Sequence, residues 1–400
     1  MEPRIIFKYL ILIVLLAFFL SANMLELMGI SYVSIGGSSL LKIHIYSYLT
    51  ILLFCYFTFK LGFSRFVSLL NGEKRYWLYC LLSLCIVIGY GLIKQGTAGL
   101  AYLIDSLLAA LLIFPLLALI PHDLKEKIVV ILAYLLLLNS LTAILEMTFH
   151  RDLVRLSVEY SQYFRATAFL NHSLNNALIT ASLAPLLWDK TKLSPILYVA
   201  IILLALFAFG GRAAMAVFMF GLVVVCCKYT INYVSVGIRM DWNKFAFINF
   251  LIPVSAIVLC VVLLESNIAN RILTHLYIDR SAEARLDVFI LLDQLSVNEW
   301  FFGVNQSFFE NINSLIGINV VENYIIGWIL NFGIIGCLLL LVATFLLSVK
   351  YALTGDIMAI ISVMSFVAIS VCNNALTAKT PALMFLFLAL ACARRDNVPI

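Results

Sequence analysis

The chain has 400 residues, 64% of them hydrophobic and 12% charged, with a net charge of +5. A soluble domain carries about twice that charged fraction, and a mean hydropathy of +1.07 belongs to a chain built largely of membrane segments. The apolar runs are continuous and about 20 residues long, enough to cross the hydrocarbon as helices, which excludes the alternating pattern of a β-barrel.

No Walker A pattern and no strand leading through a glycine-rich turn into a helix occurs, so nothing points to a bound nucleotide. No nucleic-acid partner is expected. The pattern predicts twelve spans: 5–27, 43–62, 76–93, 99–120, 127–147, 166–187, 194–210, 211–231, 245–264, 322–349, 355–372 and 379–393. The first reads as a retained helix, because no small-x-small cleavage site follows it. No internal repeat or low-complexity linker divides the chain, so residues 1–400 form a single transmembrane domain. The nine cysteines all lie in or at the ends of apolar runs, where small core residues belong and a disulfide framework does not.

Lysine and arginine in the short loops set the orientation. With both termini cytoplasmic, the inner loops hold Lys60, Arg65, Lys74, Arg75, Lys125, Lys127, Lys190, Lys192, Lys228, Arg239, Lys244, Lys350, Arg394 and Arg395. Two outer segments depart from this economy. Residues 148–165 hold His150, Arg151, Arg155 and Arg165; the long polar loop 265–321 holds Arg271, His275, Arg280 and Arg285. With Arg212, these outward positive charges are arginine rather than lysine. A planar, forked donor is what capture of phosphate oxygens selects.

Asp105 falls about two turns inside the fourth span and needs a partner there, either Arg212 or a cavity water. The sixth span is the least apolar. Read as a helix from 166, it aligns Arg165, His172, Asn175 and Asn176 along one stripe, with His172 about 10 Å beyond Arg165. Such a stripe suits a water-filled cavity, or else hydrogen bonding between helices. Arg212 follows Gly210-Gly211, where a backbone can approach a ligand closely and a helix N-terminus adds donors for an anion.

In loop 265–321, Ser281–Leu295 reads as a surface helix whose apolar side, Leu286, Phe289 and Leu292, rests on the membrane domain. The loop is expected to be partly helical and to cover the cavity. Arg280 is placed in the turn before that helix, so that it and Arg285 point to one ligand. At the mouth of the tenth span stands Glu322-Asn323-Tyr324; a carboxylate there is kept ionised by the helix dipole and suits a base. No carboxylate or histidine cluster has metal-ligand spacing, so neither a metal nor another cofactor is expected.

In order along the chain, Arg165 with Thr167, Phe169, Asn171 and His172, then Gly211-Arg212-Ala213, Ala284-Arg285-Leu286-Asp287-Val288-Phe289, Trp300-Phe301-Phe302-Gly303, Glu322-Asn323-Tyr324 and Asn331-Phe332-Gly333-Ile334-Ile335-Gly336 resemble the O-antigen ligase/polymerase superfamily. The likeness covers about 165–340 and is nearest the O-antigen and exopolysaccharide polymerase branch. Glu322 stands where ligases of the family carry a histidine, and Asn331 where an acidic residue is common; the first departure leans towards a polymerase.

The resemblance implies an all-α polytopic membrane protein with a type C glycosyltransferase fold and a large periplasmic loop. It implies a metal-independent polysaccharide polymerase of the bacterial inner membrane, for exopolysaccharide or lipopolysaccharide biosynthesis. Its substrate would be an undecaprenyl-pyrophosphate-linked oligosaccharide, and its partners membrane lipids, a chain-length regulator and a flippase. Glu322, His172, Arg212 and Arg285 would be catalytic. Arg165, Arg280, Asn175, Asn176, Asn323, Tyr324 and Asp105 would bind substrate, with Arg165, Arg212, Arg280 and Arg285 converging on one periplasmic cavity. The alternatives are a ligase acting on lipid A-core and, from another class, a lipid-linked sugar transporter, although transporters commonly show internal repeats.

Overall fold

The computed structural model describes residues 2–33, 38–97, 99–152, 164–170, 172–236, 288–305, 308–309 and 321–393. All regular structure among them is helical. α1 (Pro3–Phe19) begins on a proline, at the one helical position where a missing N–H costs nothing. A turn at Leu20–Ser21 separates it from the short α2 (Ala22–Leu27), splitting the predicted span 5–27. α3 (Ile45–Leu61) gives way at Gly62 to α4 (Phe63–Ser68), and α5 (Lys74–Gln95) follows. The next helix opens with a wide π-turn at Leu103–Leu108 and continues as α6 (Ala109–Leu117). Then come α7 (His122–Phe149), α8 (Ser173–Leu187), α9 (Pro195–Ala208) and α10 (Arg212–Val236). After 237–287 the described chain resumes with α11 (Ile290–Asp293), α12 (Val297–Phe302), α13 (Tyr324–Thr354), α14 (Ile357–Ser370) and α15 (Ala382–Ala393).

Each predicted span within the described residues contains a helix, with the differences given below; the span 245–264 lies outside them. Among the described residues, four stretches are long and apolar enough to cross a membrane: Asn71–Gln95, His122–Phe149, Arg212–Asn232 and Tyr324–Thr354. The centre is formed by α6 and α15, which are apolar on nearly all sides and almost wholly buried. α15 packs on α6, α7 and α8, and α8 in turn lies against α14. Cys80, Cys337 and Cys392 are core residues as expected, whereas Cys55, Cys85 and Cys227 are exposed on helix flanks.

Side-chain caps fix several helix ends. Ser194 accepts from Leu197 N at the start of α9, and Asp356 accepts from Ala359 N at 3.0 Å at the start of α14. Ser296 and Glu299 form a reciprocal capping box on α12. These hydrogen bonds hold the exposed Glu299 carboxyl below the usual range.

Two predicted elements differ. The sixth span starts at Ser173 rather than 166, so Arg165 and His172 do not share a helix stripe. The cause is local: Ala168 sits at φ 40°, a left-handed conformation that a right-handed helix cannot include, and its N–H is taken by another helix. In the predicted helix Ser281–Leu295, only 288–295 is described. There Val288, Leu291 and Leu295 are buried, while of the expected side Phe289 is exposed and Leu292 half-buried.

α13 is broken inside the membrane-length run. Gly333 has φ 69° and ψ 180°, and the carbonyl of Phe301 lies directly where a β-carbon would be. The carbonyls freed by the break find donors from α5 and the residues after α12. Val304 N donates to Leu330 O at 2.7 Å, and Lys94 Nζ and Gln95 Nε2 both donate to Asn331 O at 3.3 Å. Lys94 also donates to Phe302 O at 2.5 Å, so one ammonium serves the C-terminal ends of two helices. The Asn331 side chain donates to Gly327 O at 2.7 Å.

Gly333→Ala is expected to cost more than the roughly 1–3 kcal/mol of a strained left-handed residue, because overlap with Phe301 adds to it. In detergent its thermal midpoint should fall by several degrees. Gly89→Ala, where a β-carbon meets nothing within 4 Å, should leave the midpoint unchanged or raised. Equal midpoints for the two variants would contradict the sealed break.

Candidate functional site

A pocket of about 50 Å³ opens at one end of the bundle, lined by residues from three separate parts of the chain. Arg165 precedes α8. Gly210, Gly211 and Arg212 form the α9–α10 turn and the start of α10. Ile369, Cys372 and Asn373 belong to the end of α14 and the turn beyond it. Arg165 and Arg212, two of the four arginines expected to converge, both line it, and both are exposed.

The two glycines make the approach. Gly210 turns at φ 66°, and the aliphatic part and Nε of Arg165 would lie 3.4 Å from any β-carbon there. At Gly211 a β-carbon would come within 2.5 Å of that of Ala177, so α8 and the start of α10 touch only because Gly211 has none. The N-terminal turn of α10 ends in the pocket through Ala213 and Ala214, and its dipole favours negative charge. No carboxylate is among the described lining residues.

Arg165 is positioned by the segment behind it. Ala166 N donates to Ala208 O at 3.0 Å, tying the segment to the end of α9. Thr167 N and Ala168 N both donate to Glu146 Oε2 at 2.9 Å, and Phe169 N donates to Asn139 Oδ1 at 3.2 Å. Asn139 Nδ2 donates to Asn176 Oδ1 at 2.8 Å, and Asn176 Nδ2 donates to Thr167 O at 2.6 Å. Glu146, Asn139 and Asn176 are fully buried. Asn176 thus binds α7 to α8 and holds the strap carrying Arg165; its amide faces protein, not a water-filled cavity. Asn175 is buried in the preceding position, with its Oδ1 unpartnered.

His172 is exposed, two residues before the pocket-lining Leu174. The N-cap of α13 is Asn323, whose side chain accepts from Ile325 N at 3.0 Å and Ile326 N at 3.3 Å; Glu322, half-buried, precedes it. Tyr324 is buried against Trp328, ring centroids 4.7 Å apart. One turn on, Gly327 packs on Thr377, which brings the start of α13 to the turn that carries Asn373. Arg280 and Arg285, with Arg271 and His275, lie outside the described residues.

Asp105 belongs to a different cluster. It is fully buried, and its carboxyl accepts from Ser47 Oγ at 2.6 Å, Tyr32 OH at 2.8 Å and His44 N at 2.9 Å. Arg212, expected as one possible partner, is replaced by this cage. Lys379 Nζ lies 4.1 Å from the centre of the Tyr32 ring and donates to Tyr32 O at 2.7 Å. The cluster ties the residues before α3 and after α14 to the π-turn. Burial pushes the Tyr32 hydroxyl far up.

Sequence reading missed Glu146, Asn139 and Asn373. Each was visible as a polar residue within or between apolar runs. Comparison with protein-family models and with curated proteins finds no match for the chain.

His44, in the turn before α3, accepts from Tyr46 N at Nδ1, so Nε2 carries the proton donated to Leu20 O at 2.6 Å. Burial pushes the imidazole down from 6.5 to about 4. The fold therefore favours neutral His44, a contribution present above pH 6.5 and lost as pH falls towards 4. Over that window the wild-type thermal midpoint should drop more steeply than that of His44→Gln, by the equivalent of at most about 3 kcal/mol. Parallel pH profiles would contradict the assignment.

Proposed function

We propose that the chain is a polysaccharide polymerase of a bacterial inner membrane, acting on undecaprenyl-pyrophosphate-linked glycans at the periplasmic face. The observation that carries this reading is the pocket in which Arg165 and Arg212, nearly fifty residues apart in sequence, come together beside two glycines and a helix N-terminus. Two forked guanidinium groups and a helix dipole suit a pyrophosphate that leaves carrying negative charge.

In the proposed reaction a hydroxyl oxygen of the acceptor sugar bonds to the anomeric carbon of the donor chain. The bond from that carbon to the pyrophosphate oxygen breaks, and the electron pair leaves with undecaprenyl pyrophosphate. The hydroxyl proton passes to a base, Glu322 or His172. Arg280 and Arg285 would add to the clamp from loop 265–321, which would exclude water from the activated donor. No metal-binding group of histidine, cysteine or carboxylate residues occurs among the described residues; the proposed chemistry rests on arginine. A ligase passing the glycan to lipid A-core would use the same pocket, and Glu322 in place of a histidine favours the polymerase.

The break in α13 supports a second reading, a transporter of lipid-linked sugars, since broken helices serve transport. Here, however, the freed carbonyls are sealed by Val304, Lys94 and Gln95 rather than left facing a path.

With purified protein in liposomes and lipid-linked repeat units, Arg212→Lys should lose most polymer formation, because an ammonium is a point charge without the fork. Arg212→Ala should fall about 10²–10³-fold. Full activity of Arg212→Ala would remove the pyrophosphate clamp and turn the reading towards transport.

A further inference from the structure

Asn373 lies in the turn between α14 and α15, well beyond the stretch 165–340 that carries the family resemblance. It is 2% exposed and lines the same pocket as Arg165 and Arg212. Its Oδ1 accepts from Ala375 N at 3.0 Å, the bond that closes the turn. That bond also fixes which way the amide points, since an NH₂ group facing an N–H would have nothing to accept it. Nδ2 is therefore the atom turned away from the turn, and it is buried without a hydrogen-bond partner. A buried donor left unpaired is rare enough in folded proteins to call for an explanation.

The pocket supplies one. Among the described residues its charged and amide side chains are the two arginines and Asn373, and neither guanidinium can accept a hydrogen bond. What completes the set is a group rich in acceptors and negatively charged. The pocket is also small, about 50 Å³, which suits a single phosphoryl group.

We propose that Asn373 Nδ2 is a third donor to one phosphoryl group seated between Arg165 and Arg212, with the remainder of the ligand outside the pocket. This deepens the reading above and rests on it. The arginines provide charge, while the neutral amide, locked by the turn, provides direction. It selects a group that presents an acceptor oxygen at that point.

The test separates the donor from the turn. Asn373→Asp keeps an oxygen for Ala375 N but puts an acidic oxygen where Nδ2 was. Asn373→Ser keeps a turn-closing oxygen on a side chain too short to reach the pocket. Binding is read on purified full-length protein in uncharged detergent, by thermal stabilisation against inorganic pyrophosphate. A parallel titration with phosphatidylglycerol distinguishes a lipid headgroup as the source of the phosphoryl group.

Pyrophosphate should stabilise the wild type. Its apparent Kd should weaken by about tenfold or more in Asn373→Asp and by several-fold in Asn373→Ser, with the unliganded midpoints close to wild type. Wild-type affinity in either variant, with Arg212→Ala defective, would overturn the role of Asn373 and leave the arginine site standing. A wild type that responds to neither titrant, or to phosphatidylglycerol alone, would overturn the pyrophosphate site itself.

Discussion

Two successive backbone N–H groups that serve no helix, those of Thr167 and Ala168, end on one oxygen of the buried Glu146. On this the arrangement of the pocket depends. Without the acceptor, two buried donors would be unpaired at a cost of about 1–3 kcal/mol each, and the strap before α8 would have no reason to stay extended. With it, the strap runs past α7 with no α-helix, bonds to the end of α9 through Ala166, and delivers Arg165 against Gly210. Asn139 and Asn176 complete the bracing from α7 and α8. Sealed polar networks of this kind hold a geometry rigidly because each member, deep in the bundle, has no water to turn to.

The same physical demand shapes the two other polar sites. At the α13 break, carbonyls that a continuous helix would have served are met by Lys94, Gln95 and Val304 N. Around Asp105, a buried carboxyl is met by Tyr32, Ser47 and the N–H of His44. Both join distant parts of the chain. α12 is locked onto α5 and α13, and the turn holding Lys379 is locked onto the stretch before α3. The Asn373 turn thus belongs to a segment tied at both sides, by Lys379 and by the contact of Thr377 with Gly327.

Much of the helical layout was legible in the sequence, because apolar runs of the right length leave few alternatives. α7, α9 and α14 match their predicted spans within a few residues. What was not legible came from tertiary capture of backbone groups. The run after Arg165 has helical periodicity, yet Glu146, some twenty residues earlier, takes its N–H groups first. Gly333 looked like one small residue in a Gly-hydrophobic-Gly run, and only the Phe301 carbonyl beside it explains the break. Asp105 was rightly expected to need partners, but spacing alone does not reveal that Tyr32 and Ser47 are near. Arg165 with Arg212 was readable as a pair because arginine was unusual in those loops. Asn373, a polar residue in a turn, was indistinguishable from any other until its buried Nδ2 and the pocket were seen together.

The claim that all of this serves is that one end of the bundle holds a phosphoryl group of a lipid-linked glycan. The most direct measurement is a cryo-EM structure of the protein in lipid nanodiscs with an undecaprenyl-pyrophosphate-linked oligosaccharide. The account predicts phosphoryl density between the guanidinium groups of Arg165 and Arg212, within hydrogen-bonding distance of Asn373, with the sugars outside the pocket. Ordered substrate density at another place, with this pocket empty, would contradict it.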